Sequence, residues 1–159
     1  MPRRADTIPP PAETRVSDAG LRVFIGYHMR RAMAALQADL ADTLAPFGLR
    51  MIPFSVLVLI VDNPGLRPSQ IAEALAIERS NLVSLIDGLA REGLVVRQPV
   101  AGDRRAHALS ATARGAALCA RARAAVAQHD ARMSAGLDET TRTRLIGFLN
   151  RVENSDGRG

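Results

Sequence analysis

Apolar residues recur with helical spacing over the first part of the chain. Between Ser17 and Leu44 they fall every three or four positions, which predicts one long helix. The apolar arc of this helix is wide, so we expect it to contact more than one neighbour. Its members are Leu21, Phe24, Ile25, His28, Met29, Ala32, Met33, Leu36, Leu40 and Leu44. Pro46, Phe47 and Gly48 then predict the end of the helix.

Two short helices joined by a tight turn are predicted further along. Residues 63–65 form an Asn-Pro-Gly turn, and Pro68 suits the first position of a helix that ends near Ala76. The second helix carries an apolar stripe with i, i+3, i+4, i+7 spacing. The stripe comprises Leu82, Leu85, Ile86 and Leu89, and it turns Arg79, Asn81, Ser84, Gly88 and Arg91 away from the core. Gly93 predicts the C-terminal cap.

The segment between the long helix and this pair is apolar almost without interruption. Residues 51–63 favour a buried strand by propensity and a buried helix by length, and the pattern leaves both open. Its most apolar part, Met51 to Val61, is too short to cross a bilayer. The N-terminal segment MPRRADTIPPPAE lacks the apolar stretch of a secretory signal. We therefore expect a soluble cytoplasmic protein that does not associate with membranes.

A hairpin and two further helices complete the pattern. Residues 94–100 are rich in valine and lead through a turn into a segment of alternating character, which predicts a hairpin with arginines at its tip. An alanine-rich helix from Thr112 to about Ser134 follows, and a last helix begins near Asp138. The apolar positions of these two helices are Leu118, Ala122, Val126, His129, Met133, Leu145, Ile146, Leu149 and Val152.

The charge balance changes this picture by suggesting a polyanionic partner. The chain has 21 basic residues, all of them arginine, against 16 acidic ones, and a formal net charge of +5. Arginine forms two-pronged hydrogen bonds to phosphates and to guanine edges. A codon bias would also replace lysine everywhere, and it accounts for most of the individual arginines. Four Phe, one Tyr and no Trp argue against stacking on unpaired bases.

The sequence offers no chemistry typical of an enzyme. It contains no phosphate loop, no HExxH and no GxSxG, so we expect neither catalysis nor a cofactor. The single cysteine, Cys119, cannot form an internal disulfide or a multi-thiolate metal site, and we predict a small buried core residue. His28, His107 and His129 lie on three different elements without metal-ligand spacing. We expect structural or surface roles for them and no metal.

The helix pair and the hairpin together have the layout of a winged helix-turn-helix. Exposed side chains near the start of the second helix can enter the major groove of DNA, and arginines of the wing suit the narrower minor groove. The stretch PSQIAEALAIERSNLVSLIDGLAREGLV, followed by AGDRRAHALSATARG, resembles the multiple antibiotic resistance regulator (MarR) family of transcription factors. The motifs run from about residue 66 to 115, and the likeness in layout runs from about 20 to 153.

This resemblance implies a fold and a domain plan. The fold is mainly helical with a small β-hairpin wing, and the winged helix-turn-helix is flanked by long dimerisation helices. The ambiguous segment then becomes the helix that precedes the helix-turn-helix. The implied regions are a disordered arm at 1–17, a dimerisation helix at 18–45, the DNA-binding region at 46–111, C-terminal dimerisation helices at 112–153 and a disordered tail at 154–159.

The resemblance also implies which side chains touch DNA. The recognition helix carries Arg79, Ser80, Asn81 and Ser84, the start of the supporting helix carries Arg67, Ser69 and Gln70, and the wing carries Asp103, Arg104 and Arg105. Arg105 is the arginine inserted in the minor groove, Asp103 braces the wing, and Arg104 contacts phosphate. Family members often have basic residues at Ser84 and Gly88, so we expect a weaker or different reading of the major groove.

The family works as a homodimer that a small ligand releases from DNA. A two-fold dimer implies an inverted-repeat operator of double-stranded DNA. Candidate walls of the ligand cleft are Phe24, Tyr27, His28, Arg31, Met51 and Phe54, although such residues are also ordinary core. Residues 47–83 are similar to relatives that respond to CoA thioesters of hydroxycinnamate-type aromatics, which gives arginines a second use in holding CoA phosphates.

We therefore predict a ligand-relieved repressor that responds to an aromatic or acyl-CoA effector. Two alternatives stay open. One is a winged-helix module that binds protein, and the other is a redox-responsive regulator that uses Cys119. Peroxide-responsive relatives carry their cysteine in the first helix, which weighs against the second alternative.

Overall fold

A computed structural model describes residues 16–100 and 103–155. Most of the predicted N-terminal arm, the tip of the hairpin turn and the end of the tail lie outside these residues. The elements are α1 (Ile25–Leu44), a short 3₁₀ turn (Ala45–Phe47), α2 (Met51–Asp62), α3 (Pro68–Ala74), α4 (Arg79–Arg91), β1 (Val95–Val100), β2 (Asp103–Ala111), α5 (Ala113–Met133) and α6 (Glu139–Glu153). The chain divides into two compact units, residues 1–35 and 36–159, and each is described by itself.

The first helix begins at Ile25, so the prediction of a helical start near residue 17 is wrong. The residues before it form turns in which the backbone N–H of Arg22 donates to the carbonyl of Asp18. The Asp18 carboxylate also accepts from Tyr27 Oη at 2.5 Å, nine residues further along the chain. Turns therefore occupy the stretch before Ile25 that the apolar spacing assigned to the helix.

The apolar segment that the pattern left undecided is a helix, as the resemblance implied. Pro53 is tolerated because it lies in the first turn of α2, where its missing N–H has no helical partner. Val56, Leu57 and Ile60 are fully buried. The helix contacts α4, α5 and β2, and this tertiary burial outweighs the strand propensity of valine and isoleucine.

The helix-turn-helix forms as predicted. Helix α3 begins at Pro68, and α4 buries Leu82, Ile86 and Leu89 with its opposite face in solvent. The turn between the helices places Ala76 at a φ of 49°, in the left-handed region that L-residues rarely occupy. Gly93, at a φ of 68°, follows the end of α4 in the manner of a C-terminal cap.

The wing is an antiparallel hairpin, which confirms the predicted strand pair. Val95 pairs with Ala111, and the register becomes irregular near the end of β1. A segment before α3 adds a further bridge, in which the N–H of Leu109 donates to the carbonyl of Leu66 at 2.9 Å. The N–H of Gly65 donates to the carbonyl of Leu109 at 2.8 Å. The base of the wing is therefore tied to the start of the helix-turn-helix.

Helix α5 starts in close contact with the turn between α4 and β1. The Thr112 hydroxyl accepts from the N–H of Gly115 at 3.0 Å and donates to the carbonyl of Gly93 at 2.7 Å. The N–H of Thr112 donates to the carbonyl of Leu94 at 3.0 Å. A Cβ added at Gly115 would lie 1.9 Å from the Leu94 carbonyl oxygen. Only glycine fits this approach, and we call this set of contacts the α5 joint.

The core of the second unit lies between α2, α4, α5 and the hairpin. Its buried members are Leu44, Leu49, Val56, Leu57, Ile60, Ile71, Ala72, Leu82, Ile86, Leu89, Leu94, Val95, Leu109, Cys119 and Ala122. Cys119 is fully buried, as predicted. Burial raises the pKa of its thiol, which lowers the fraction of reactive thiolate.

The last helix leaves its apolar stripe in solvent. Leu145, Ile146, Leu149 and Val152 are 38–45% exposed in the single chain. Such a continuous apolar face usually marks an interface. Among the described residues, no single helix is long and apolar enough to span a membrane, and only α1 taken together with α2, as a bent pair, meets that length and composition.

Candidate nucleic-acid interface and effector region

The predicted recognition residues lie together on the solvent side of α4. Arg79, Ser80, Asn81 and Ser84 are all exposed and occupy its first two turns. Arg79 and Ser80 share one surface groove with Ser69 of α3. Glu73 and Glu78 also line this groove, so the local charge is mixed. Contact with DNA at this surface must therefore rely on individual guanidinium and amide groups.

The supporting helix uses one of its predicted contact residues for its own start. Gln70 Oε1 accepts from the backbone N–H of Arg67 at 2.9 Å, which satisfies a group that the helix itself leaves unpaired. Arg67 and Ser69 are exposed beside it. The predicted contact from Gln70 to phosphate would have to come from its amide nitrogen.

The three predicted wing residues stand at the start of β2. The backbone of Asp103 pairs with Val100 across the hairpin. The side chains of Asp103, Arg104 and Arg105 lie outside the part of the chain whose side chains are described. Their assigned roles stay predictions.

An ion pair that the sequence analysis missed links the wing to the recognition helix. Arg97 Nη2 of β1 donates to Asp87 Oδ1 of α4 at 2.5 Å. The only sign of this ion pair in the sequence is that two opposite charges stand on either side of the Gly93 cap. Charge alone does not select one partner among many, because a separation of ten residues follows no helical or strand repeat.

Three of the predicted effector residues form one cluster in the first unit. Tyr27 Oη donates to Asp18, and Arg31 Nη1 lies 3.5 Å from the same hydroxyl oxygen. His28 Nε2 donates to the carbonyl of Arg22 at 2.8 Å. Hydrogen bonds from Arg22 and then Tyr27 lower the pKa of Asp18 to about 2. The cluster holds an internal carboxylate already, so an anionic ligand would have to replace it or bind the outer guanidinium groups.

The other predicted effector residues differ in their surroundings. Phe24, in the first unit, is 60% exposed. Met51, in the second unit, lines a cavity of about 550 Å³ between the start of α2 and α4. Arg50 and Ser84 are also in the wall of this cavity. Phe54 is half-buried and packs against the core, which is the plain core role that its spacing left open.

A second polar cluster that the sequence analysis missed joins α1 to α5 within the second unit. Buried His129 donates from Nδ1 to Asp39 Oδ2 at 2.5 Å, and Arg132 Nη2 donates to the same oxygen at 3.0 Å. The hydrogen bond from His129 is the main cause of the lowered pKa of Asp39. His129 thus has the structural role that its position predicted.

Comparison with known proteins identifies the family. The MarR family model matches residues 47–106. A candidate transcriptional regulatory protein for the hcr operon of Thauera aromatica is 35% identical over 133 residues, which cover 83% of this chain and 80% of that protein. The chain belongs to the MarR family. Membership confirms the predicted class, a winged helix-turn-helix transcription regulator.

Two solved structures of proteins named CouR extend the likeness over nearly the whole chain. The transcriptional repressor CouR, bound to a 23-mer DNA duplex, is 34% identical with a TM-score of 0.84, and the match covers 89% of this chain and 100% of CouR. CouR from Rhodococcus jostii RHA1, bound to p-coumaroyl-CoA, is 30% identical with a TM-score of 0.79 and coverage of 87% and 97%. The predicted mainly helical fold with a hairpin wing is confirmed.

Proposed function

We propose that this MarR-family protein is a repressor that binds an inverted-repeat operator as a homodimer and releases it when an aromatic acyl-CoA binds. The observation that carries the proposal is the likeness to proteins named CouR, which have been solved with a DNA duplex and with p-coumaroyl-CoA. The exposed polar face of α4 is the surface of this chain that such a function needs. Two recognition helices related by a two-fold axis require two half-sites about one helical turn of DNA apart.

We assign the recognition of the DNA sequence to the side chains at the start of α4. Arginine reads guanine and asparagine reads adenine in the major groove, which suits Arg79 and Asn81. Arg104 and Arg105 of the wing take a phosphate and the minor groove respectively. Serine at position 84 bonds to any base edge within reach and contributes little discrimination by itself.

The dimer interface is assigned to the uncovered apolar faces. The exposed stripe of α6 is apolar over four helical positions, and α1 exposes Met33 and Leu36. Burying such faces between two copies removes apolar surface from water at about 25 cal/mol per Å². Isologous pairing of one face with itself yields the two-fold axis that an inverted repeat requires.

The effector is assigned to arginine and apolar groups together. The cavity beside Met51 has the size of a small-molecule site, and its wall carries both Arg50, which can hold an anion, and the carboxylate of Glu92. In the first unit, Arg31 is an exposed cation that can by itself hold a phosphate group. We assign no catalytic role to any residue, and we place the protein in the cytoplasm because its operator lies there.

Protection mapping on the DNA that flanks its own gene tests the DNA-binding proposal. We expect two protected half-sites in inverted orientation. Arg105→Ala should weaken operator binding by at most about 3 kcal/mol and reduce the salt slope by about 1, whereas Arg144→Ala on α6 should change neither. If Arg105→Ala binds as well as the parent, the wing assignment is wrong. Absence of any preferred DNA would favour the protein-binding alternative.

Titration of the preformed DNA complex tests the effector. We expect p-coumaroyl-CoA to release the DNA, while free p-coumarate and free coenzyme A do not at the same concentrations. Release by neither thioester nor acid would refute the effector class and leave the DNA-binding proposal intact. Release by p-coumarate alone would assign the effector to the aromatic acid and remove the use of arginines for CoA phosphates.

A further inference from the structure

The pair between Asp87 and Arg97 lies where the recognition helix meets the wing. Asp87 follows Ser84 by three residues and Ser80 by seven, which places it on the same side of α4. Ser84, Asp87 and Arg91 line one shallow concavity of the surface. Arg97 stands in β1 opposite Leu109, at the base of the hairpin. The carboxylate is therefore on the side of α4 that carries the predicted DNA contacts.

In the ion pair, the charges of Asp87 and Arg97 neutralise each other, so neither acts on DNA. The side chain of Asp87 is 47% exposed and that of Arg97 is 41% exposed, so either could meet solvent or phosphate. An unpaired carboxylate on this face would repel the phosphate backbone. An unpaired guanidinium would bind phosphate on any sequence and would raise non-specific affinity. With the two groups 2.5 Å apart, neither contribution is available.

The pair also links two elements that approach DNA separately. Helix α4 and strand β1 are in contact, and the turn between them is held at its far end by the α5 joint. The ion pair between Asp87 and Arg97 restrains the hairpin on the side that faces DNA. Because the α5 joint and the ion pair both restrain the hairpin, it has one orientation relative to the recognition helix. The wing can therefore reach the minor groove only when α4 lies correctly in the neighbouring major groove.

We propose that Asp87 and Arg97 are positioning residues that set operator specificity. By holding the wing to the recognition helix and neutralising each other, they favour the operator over other DNA and add no affinity for DNA in general. This inference rests on the proposed function. It assigns a role to two residues outside the predicted contact set.

The test compares affinity for the operator with affinity for a scrambled duplex of equal length, at several salt concentrations. Asp87→Asn keeps the size of the side chain and removes its charge. We expect operator binding to weaken about two- to fivefold, as the loss of an exposed ion pair allows. Binding to the scrambled duplex should not weaken, and its salt slope should rise by about 1 because Arg97 becomes free. The specificity ratio therefore falls.

A double variant separates positioning from the freed charge. Asp87→Asn with Arg97→Gln should keep the lowered specificity ratio, while the salt slope returns to that of the parent. The matched control is Asp130→Asn, which breaks the 2.6 Å pair with Arg142 between α5 and α6. The control should leave the ratio and the salt slope unchanged. Neither readout follows from a general loss of fold, which would weaken both kinds of DNA alike.

If Asp87→Asn weakens operator and scrambled DNA by the same factor, or leaves the ratio at the parental value, the inference is overturned while the proposed function stands. An equal fall of the ratio in Asp130→Asn overturns it as well. A parent protein that shows no preference for any DNA would overturn the proposed function and this inference with it.

Discussion

The close approach of Gly115 to Leu94 gives the sharpest test of the fold. Replacing Gly115 with alanine adds a Cβ 1.9 Å from the Leu94 carbonyl oxygen and 2.8 Å from its carbonyl carbon. Both are backbone atoms, so no side-chain rotation relieves the overlap. Leu94 itself is buried, and its carbonyl accepts from the N–H of Thr112. Either α5 must move away from the turn, or the turn must give up its hydrogen bonds.

The expected cost follows from three contributions. Forcing a methyl group into a filled site costs about 1–3 kcal/mol. Weakening the bond between Thr112 and Leu94 costs about 1 kcal/mol. Alanine in a helix is about 0.5–1 kcal/mol better than glycine, which offsets part of this loss. We expect Gly115→Ala to lower the free energy of unfolding by about 2–3 kcal/mol, or Tm by about 5–10 °C.

Urea unfolding at a fixed protein concentration measures this change, since a dimer's stability depends on concentration. Gly147→Ala in α6 and Gly88→Ala in α4 are matched controls, because an added Cβ meets nothing closer than Arg151 Nη1 at 3.9 Å in the first and nothing within 4 Å in the second. Both should stabilise by up to about 1 kcal/mol. A Gly115→Ala protein as stable as these controls would refute the α5 joint.

Three further changes have defined outcomes. Ala76→Gly should raise stability in urea unfolding by up to about 1 kcal/mol because it relieves a positive φ, whereas Ala90→Gly in α4 should lower it by a similar amount. The lowered pKa of Asp39 stabilises the fold above the unfolded value of about 4 and is lost as pH falls below it, so Asp39→Asn should flatten the acid side of a stability profile. An unchanged slope there would contradict the bond to His129. Cys119→Ser should leave the response to peroxide unchanged in a DNA-release assay, since burial raises the thiol pKa.

Local signals predicted most of the elements. The stripe on α4 and the start of α5 could be predicted because helical spacing and the Thr112 cap act within a few residues. Residues 51–63 could not be assigned from their pattern, because an uninterrupted apolar run has no period, and the family resemblance decided them. The start of α1 was misplaced because apolar residues keep a helical spacing back to Leu21, although the backbone there forms turns and the helix begins only at Ile25.

The candidate site was predictable to the extent that it depends on exposure. Spacing alone placed Asn81 and Ser84 on the open side of α4, where the structure has them. The pair of Asp87 with Arg97 and the bond from His129 to Asp39 were missed, because they depend on tertiary contacts across ten and 90 residues. Charge patterns identify which residues need a partner, but only the packed chain selects the partner.

The α5 joint has a mechanical consequence. The strand ends at Ala111, Thr112 follows, and α5 begins at once, so no flexible linker separates the wing from the long helix. A helix of 21 residues is a stiff rod about 30 Å long. Pivoting such a rod by about 4° carries its end through about 2 Å by the same geometry. A ligand that tilts α5 slightly would therefore shift the wing without melting any element.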